Sequence, residues 1–285
     1  MKKQALYFTK LNNNKVQCTL CPHNCIIAEN NSGICGVRTN KQGILYSEIY
    51  GLCSSCALDP IEKKPLYEFY PKTKILSLGT KSCNFSCLFC QNWEIAQEYK
   101  NIVLKEISPK QAVELAIKYN SVGIAYTYNE PTIWYEYVLD TSKLAQKNNL
   151  KNILVTNGYI NQEPLKQLLP YIDAMNIDIK SMSEDFYKKY CNATLEPVLQ
   201  TAKLAKQSTH IEITNLIIPT LNDKKQDFEQ LGLWIKENLG KDTPLHISRY
   251  FPCYKLEISP TPIETLNMAR DILLNYIDKV FIGNV

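Results

Sequence analysis

The chain has 285 residues, enough for one large α/β domain or for such a domain with a small appendage. Its 32 basic and 28 acidic residues leave a net charge of +4, and all but three of the basic ones are lysines scattered along the chain, so no nucleic-acid surface is expected. Met1-Lys2-Lys3 is not followed by an apolar core of signal-peptide length, and no run reaches the roughly 18 apolar residues of a membrane span, so a cytoplasmic protein without membrane contact is expected.

Nine of the eleven cysteines fall in the first 90 residues. Their short local spacings suit metal ligation in a reducing compartment better than disulfides. Residues 1–70 read as a cysteine-rich module of short strands, with turn candidates at Asn12-Asn13-Asn14, Asn31-Ser32-Gly33 and Lys41-Gln42-Gly43. Such a stretch has too few apolar residues for a core of its own and needs a metal or the main domain to hold it. Cys18-x2-Cys21-x3-Cys25 followed by Cys35 is spaced for a four-thiolate site, with His23 as a substitute ligand. Zinc and a second iron–sulfur cluster both fit, and plain buried thiols are the competing reading. Cys53-x2-Cys56 reads as a pair of free thiols.

From residue 71 to 285 short apolar strands alternate with helical stretches. Strands are predicted at 74–80, 122–127, 152–156, 174–179, 210–218, 244–249 and 279–283. Ser108-Pro109 reads as a cap and first helical residue before Ala112–Lys118, and Asn222-Asp223 as the opening of an amphipathic run to Leu239. The alternation predicts an α/β fold with parallel strands, either a barrel or a doubly wound sheet, whose chemistry belongs at the C-terminal strand ends.

The first of these strands runs into Cys83-x3-Cys87-x2-Cys90. Three thiolates leave one iron of a [4Fe-4S] cluster open to a substrate or cofactor. Phe89 sets an aromatic face beside that position, against which an adenine can pack. The next strand ends are polar: Tyr126-Thr127-Tyr128-Asn129-Glu130-Pro131-Thr132, then Thr156-Asn157-Gly158, then Asn176, Asp178 and Lys180 alternating with apolar residues. In a parallel strand buried on both faces the last three need a polar partner, either a charged ligand or an internal contact between Asp178 and Lys180. Cys191 and Cys253 read as ordinary thiols, the latter near the presumed mouth, and His246 as a satisfied strand residue. Trp134-Tyr135-Glu136-Tyr137 reads as core packing along one helix surface.

Taken together, these positions resemble the pyruvate formate-lyase activating enzyme-like branch of the radical S-adenosylmethionine (SAM) proteins, and within it the radical SAM member of the AmmeMemoRadiSam system. The resemblance rests on Asp59-Pro60-Ile61-Glu62-Lys63-Lys64-Pro65-Leu66, the cysteine motif with Gln91-Asn92-Trp93, Tyr126 to Thr132, Val155-Thr156-Asn157-Gly158, Asp178-Ile179-Lys180, Ile217 to Asp223 and Gly283-Asn284-Val285. It implies a partial (β/α)6-type barrel whose [4Fe-4S] cluster, on Cys83, Cys87 and Cys90, reduces SAM to a 5′-deoxyadenosyl radical. By the same resemblance Asn129 and Glu130 lie where the SAM amino group binds, Thr156 and Asn157 near ribose and methionine, Asp178 and Lys180 near the carboxylate, and Pro219 near adenine.

The chain departs from the family at several positions. Val155 stands where activases carry Asp, Ser82 where relatives have Gly, and Phe251 and Cys253 where they have His and Asp. An electron donor, flavodoxin or ferredoxin, and companion proteins of the AmmeMemoRadiSam system are the partners the resemblance implies. Two alternatives remain at this stage: an activase abstracting hydrogen from a glycine of a partner protein, and a non-catalytic, zinc-stabilised binding protein.

Overall fold

The computed structural model describes residues 2–285. Eight strands form the main sheet: β1 (Ser55–Pro60), β2 (Lys74–Gly79), β3 (Gly123–Tyr126), β4 (Lys151–Thr156), β5 (Ala174–Asp178), β6 (His210–Ile217), β7 (Leu245–Arg249) and β8 (Val280–Gly283). Their spatial order is their chain order. β2 to β8 are all parallel, and β1 is antiparallel to β2. A doubly wound sheet reverses its strand order at a switch point, whereas a barrel wall winds one way, as this sheet does. β1 and β8 do not pair with each other, so the wall stays open.

Helices α1 (Pro109–Lys118), α2 (Tyr135–Lys147), α3 (Gln162–Leu168), α4 (Glu196–Lys206), α5 (Lys225–Asn238) and α6 (Ile263–Leu273) fill the six crossovers. The start of α1 is a capping box: Ser108 Oγ accepts from the Gln111 amide, and the Gln111 side chain accepts from the Ser108 amide. α5 begins later than the expected Asn222-Asp223, because Asn222 is used inside the barrel. Its amide nitrogen donates to the carbonyls of Lys180 and Leu216, and Asp227 takes over the capping bond from the Lys224 amide.

The N-terminal stretch forms two small antiparallel sheets, Phe8–Lys10 with Val16–Cys18 and Ile26–Ile27, and Lys3–Gln4 with Ile44–Ser47 and Arg38–Lys41. The second hairpin turns through Gln42 and Gly43, both left-handed at φ 52° and 73°, the geometry that matches strand twist in a two-residue loop. The stretch has no separate core: Val16, Leu20, Ile27, Val37 and Leu45 belong to one contiguous apolar cluster with barrel residues such as Ile124, Ile177 and Ile213. β1 also lies within residues 1–70, so this segment contributes an edge strand to the main sheet.

α2 is the surface onto which the N-terminal stretch docks. Arg38 Nη1 donates to both oxygens of Glu136 at 3.0 and 3.1 Å, Arg38 Nη2 donates to the Leu6 carbonyl at 2.6 Å, and the Leu6 amide donates to Glu136 at 2.8 Å. Trp134 Nε1 donates to the Ile49 carbonyl and its ring stacks on Tyr137, while Tyr135 donates to the Pro164 carbonyl. Four consecutive helical residues cannot share one face, since each advances by about 100°. They are all buried because the barrel covers one side of α2 and the N-terminal stretch the other, and Glu136 is an ion-pair partner, which corrects the reading of this run as packing along one surface.

At the N-terminal end of the barrel, the fully buried Glu212 accepts the amides of Tyr67 and Glu68 at 3.0 and 2.8 Å and faces the ring nitrogens of His210 and His246 at 3.0 and 2.6 Å. Burial alone would raise this carboxyl, but hydrogen bonds from the two histidines and two amides outweigh it and hold it at about 2, against an ordinary 4.5. A depressed folded value stabilises the protein above the unfolded value, and that contribution is lost as pH falls from about 4.5 through about 2. We expect Glu212→Gln to remove on the order of 3 kcal/mol of this acid-dependent stability, read as a flatter unfolding free energy between pH 5 and 2. An unchanged slope would show that Glu212 is not so paired.

Candidate active site

Beyond the C-terminal ends of β2 to β7 opens a pocket of about 490 Å³. Cys83, Cys87, Cys90, Phe89, Asn129, Glu130, Thr156, Asn157, Asp178 and Lys180 all line it, so the structure gathers ten of the residues singled out in the sequence. Pro219 is not among the lining residues; it lies in the loop after β6. A larger cleft of about 630 Å³, between β1 and α1, holds one cysteine, the exposed Cys56, and none of the other residues singled out in the sequence as site candidates.

The cysteine loop leaves β2 without regular structure and is held from several sides. Asn129 accepts from the Thr80 amide and donates to the Ser82 carbonyl at 3.0 and 2.8 Å. The amides of Ser86 and Leu88 donate to the carbonyls of Cys191 and Tyr190, in the single π-helical turn Tyr187–Cys191. Gln97 donates to the Phe85 carbonyl at 3.0 Å. Ser82 sits at φ 75°, the left-handed region where glycine carries no steric penalty, and its hydroxyl donates to the Cys35 carbonyl at 2.5 Å. That hydrogen bond offsets the backbone cost of the departure from Gly.

Two donors reach the Cys83 sulfur, the Phe85 amide at 3.3 Å and Asn157 Nδ2 at 3.6 Å. Burial pushes the Cys83 thiol well above its ordinary value and the Cys90 thiol up to about 11. Cys87 moves the other way, because the Cys191 thiol hydrogen-bonds to it and Lys180 lies close. Cys191 is therefore no ordinary core thiol but a neighbour of Cys87. Cys253 likewise donates to the Cys90 carbonyl at 3.3 Å. Neither contact is legible in the chain, since 104 and 163 positions separate the partners.

Glu130 is 1 % exposed and is built into the strand ends: Oε1 accepts from the Thr132 amide and the Thr156 hydroxyl, and Oε2 from the Asn157 amide. The Thr132 hydroxyl also hydrogen-bonds this carboxylate. Burial raises this carboxyl against all of those donors. Lys180 Nζ pairs with Asp178 at 2.8 Å and stands 5.9 Å from the Phe89 ring centre, so the internal contact exists inside the pocket itself. Burial would lower the Lys180 amine, yet Asp178 and Cys87 carry it well above its ordinary value.

One lining cluster received no role from the sequence. Asp59 Oδ2 accepts from Lys64 Nζ at 2.8 Å and from the Tyr128 hydroxyl at 2.7 Å, and Lys64 Nζ lies 4.5 Å from the Tyr128 ring centre. Burial alone would raise Asp59, but these bonds hold it at about 2. Lys64 is only 2 % exposed, and Tyr128 adopts φ 70° to make the contact. Adjacent lysines after Asp59-Pro60 were the available signal. Val155 lines the pocket without a carboxylate, and Phe251 is exposed with the Arg249 guanidinium over its ring at 4.8 Å.

Among the described residues, no three His, Cys, Asp or Glu side chains converge on the position of a single ion. A [4Fe-4S] cluster spreads its thiolates over separate irons, so three cysteines around one pocket wall suit a cluster. The pocket also falls in the ordinary range for small-molecule and cofactor sites.

Comparison with known proteins gives a family model described as the Radical SAM superfamily, matching residues 78–235. An uncharacterised protein of Methanocaldococcus jannaschii is 51% identical over 287 residues, which cover 99% of this chain and 85% of that protein. The (2S)-3-sulfopropanediol dehydratase activating enzyme of Klebsiella oxytoca is 25% identical over 119 residues, 41% of this chain and 38% of that enzyme. Among solved structures, a domain of pyruvate-formate lyase-activating enzyme from Bacteroides vulgatus superposes with a TM-score of 0.51 at 17% identity, covering 57% of this chain and 99% of the domain. At that identity the likeness speaks for the fold.

Proposed function

The chain belongs to the Radical SAM superfamily, and on that premise we propose that it reductively cleaves S-adenosylmethionine at a [4Fe-4S] cluster held by Cys83, Cys87 and Cys90. The observation that carries this reading is the convergence of those three thiols with Glu130, Asn157, Asp178 and Lys180 on one pocket at the strand ends. The chemistry supplied by cluster and SAM when bound is one-electron scission of a sulfonium carbon–sulfur bond, yielding a 5′-deoxyadenosyl radical.

The chain's own residues bind and orient. Asn157 and the Phe85 amide direct donors at the Cys83 sulfur, fixing that ligand and moderating its charge. The Glu130 carboxylate, which lines the pocket, is assigned to the methionine ammonium, and Lys180, already paired with Asp178, to the methionine carboxylate. Phe89 offers its face to the adenine; Pro219 lies outside the lining, so the adenine is not assigned to it. Glu130, Asn157 and Lys64 are themselves withdrawn from bulk water, which strengthens the polar contacts that they make in the pocket.

For the substrate, the AmmeMemoRadiSam-type reading rests on the motif order and places companion proteins at the mouth, framed by the N-terminal stretch and the Tyr250 to Leu256 loop. The activase reading is favoured by the match to an activating enzyme, of which this chain covers 38%. In both, flavodoxin or ferredoxin is the electron donor. The anaerobically reconstituted protein is expected to form 5′-deoxyadenosine and methionine from SAM with a low-potential reductant, faster when a companion protein is added. No 5′-deoxyadenosine from a cluster-loaded protein would overturn the function. A glycine-centred radical on an added glycyl radical enzyme would select the activase reading, and equally fast product formation on free metabolites would remove the companions.

A further inference from the structure

Cys18 ends a strand of the N-terminal stretch, Cys21 and Cys25 lie in the loop after it and Cys35 in a later turn, yet all four line one small cavity of about 20 Å³. Leu20, Ile27, Ile34 and Ile133 supply the apolar wall, and His23, Arg38, Asn84 and Thr132 the polar one. Backbone amides already point at sulfur: that of Ile34 at Cys25 (3.5 Å), that of His23 at Cys21, and those of Val37 and Arg38 at Cys35. Cys18 and Cys35 are buried and Cys21 and Cys25 half-buried, and four thiols around one void make a set of soft donors that suits a thiophilic metal.

The cavity also abuts the cysteine loop of the active site. Asn84, the residue after Cys83, forms part of its wall and accepts from Asn157 at 2.9 Å, and the Asn84 carbonyl receives the His23 ring nitrogen at 2.7 Å. On the other side of Cys83, the Ser82 hydroxyl donates to the Cys35 carbonyl. Residues between or beside the four cysteines thus hold both neighbours of Cys83.

We propose that Cys18, Cys21, Cys25 and Cys35 bind a thiophilic metal in a closed four-thiolate site, and that this metal positions Cys83 through the His23 to Asn84 and Cys35 to Ser82 contacts. The thiols enclose the cavity without meeting at single-ion distances, and a site of this kind closes onto its metal on binding.

The first half of the proposal does not depend on SAM chemistry and is read without it. Full-length protein carrying Cys83→Ala, Cys87→Ala and Cys90→Ala is purified anaerobically, and zinc, iron and sulfide are counted. About one zinc per chain identifies a single ion, and about four irons with sulfide identify a cluster; either supports the site. Neither metal above trace, in protein that retains its helical circular dichroism, overturns it.

The second half rests on the cluster of the proposed function. In the otherwise native chain, Cys18→Ser with Cys21→Ser is expected to speed loss of iron from the Cys83 cluster to a chelator by roughly 10-fold and to alter its electron paramagnetic resonance signal. His23→Ala is the milder variant, keeping all four thiols while cutting one contact, and should shift the same signal in the same direction. Glu212→Gln, remote at the other end of the barrel, controls for a general loss of stability. Iron loss and signal unchanged in both the double variant and His23→Ala, or changed equally in the control, would leave the site structural only.

Discussion

Replacing Cys83, Cys87 and Cys90 together with alanine is expected to abolish SAM cleavage and the visible thiolate-to-iron absorbance, and to remove about four irons per chain. The three sulfurs share one pocket wall, and no other cysteine lines that pocket. Cys191 and Cys253 approach Cys87 and the Cys90 carbonyl from outside it, so they cannot substitute in place. Glu130→Gln in the same experiment separates cluster from ligand. It keeps the volume and one acceptor oxygen for the strand-end donors but puts an NH2 group where an acceptor is needed. Irons should be retained, while SAM affinity falls by about 10-fold or more, the order of a charge-assisted hydrogen bond worth roughly 1.5–3 kcal/mol. If the triple variant kept iron and turnover, the cluster assignment would fail; if Glu130→Gln bound SAM normally by titration, Glu130 would be confined to holding Thr132, Thr156 and Asn157.

Glu136→Gln is expected to destabilise the folded chain by about 3–5 kcal/mol, because it leaves the Arg38 guanidinium charged in a site where both partners are nearly inaccessible, at 2 % and 1 % exposure. Although burial alone would lower the Arg38 guanidinium, Glu136 and the thiols of Cys18 and Cys35 hold it above its ordinary value, so it does not shed its proton to escape. The paired change Arg38→Met with Glu136→Leu removes both charges and should recover most of the loss, although the Leu6 amide and carbonyl then lose their partners. Urea unfolding of the single and double variants measures this directly. A single variant within about 0.5 kcal/mol of the parent would mean that the pair does not anchor the N-terminal stretch.

The barrel strands were legible in the sequence because parallel strands buried on both faces read as short, continuous apolar runs between turn residues. All seven predicted strands are present within a residue or two of their expected ends. The cysteine motif was legible for a related reason: three ligands within eight positions are brought together by one loop, and no distant closure is needed. Polar residues at strand ends marked the pocket because a core does not choose them.

Tertiary structure decided what each of those residues does. Glu130 was expected to face a ligand ammonium, yet its carboxylate is also tied into the strand ends by Thr132, Thr156 and Asn157. Asp59, Lys64 and Tyr128 meet across a separation of 69 positions, and Arg38 and Glu136 across 98. The antiparallel strand β1, placed by its ladder with β2, was invisible as part of the sheet because Cys56 to Pro60 lack the apolar run of a buried strand. The physical reason is common to all of these. Local patterning reports neighbours within a helical turn or along a strand, whereas a buried polar side chain takes whichever partner the closed chain brings within hydrogen-bond reach, and that is set by the packing of the whole barrel.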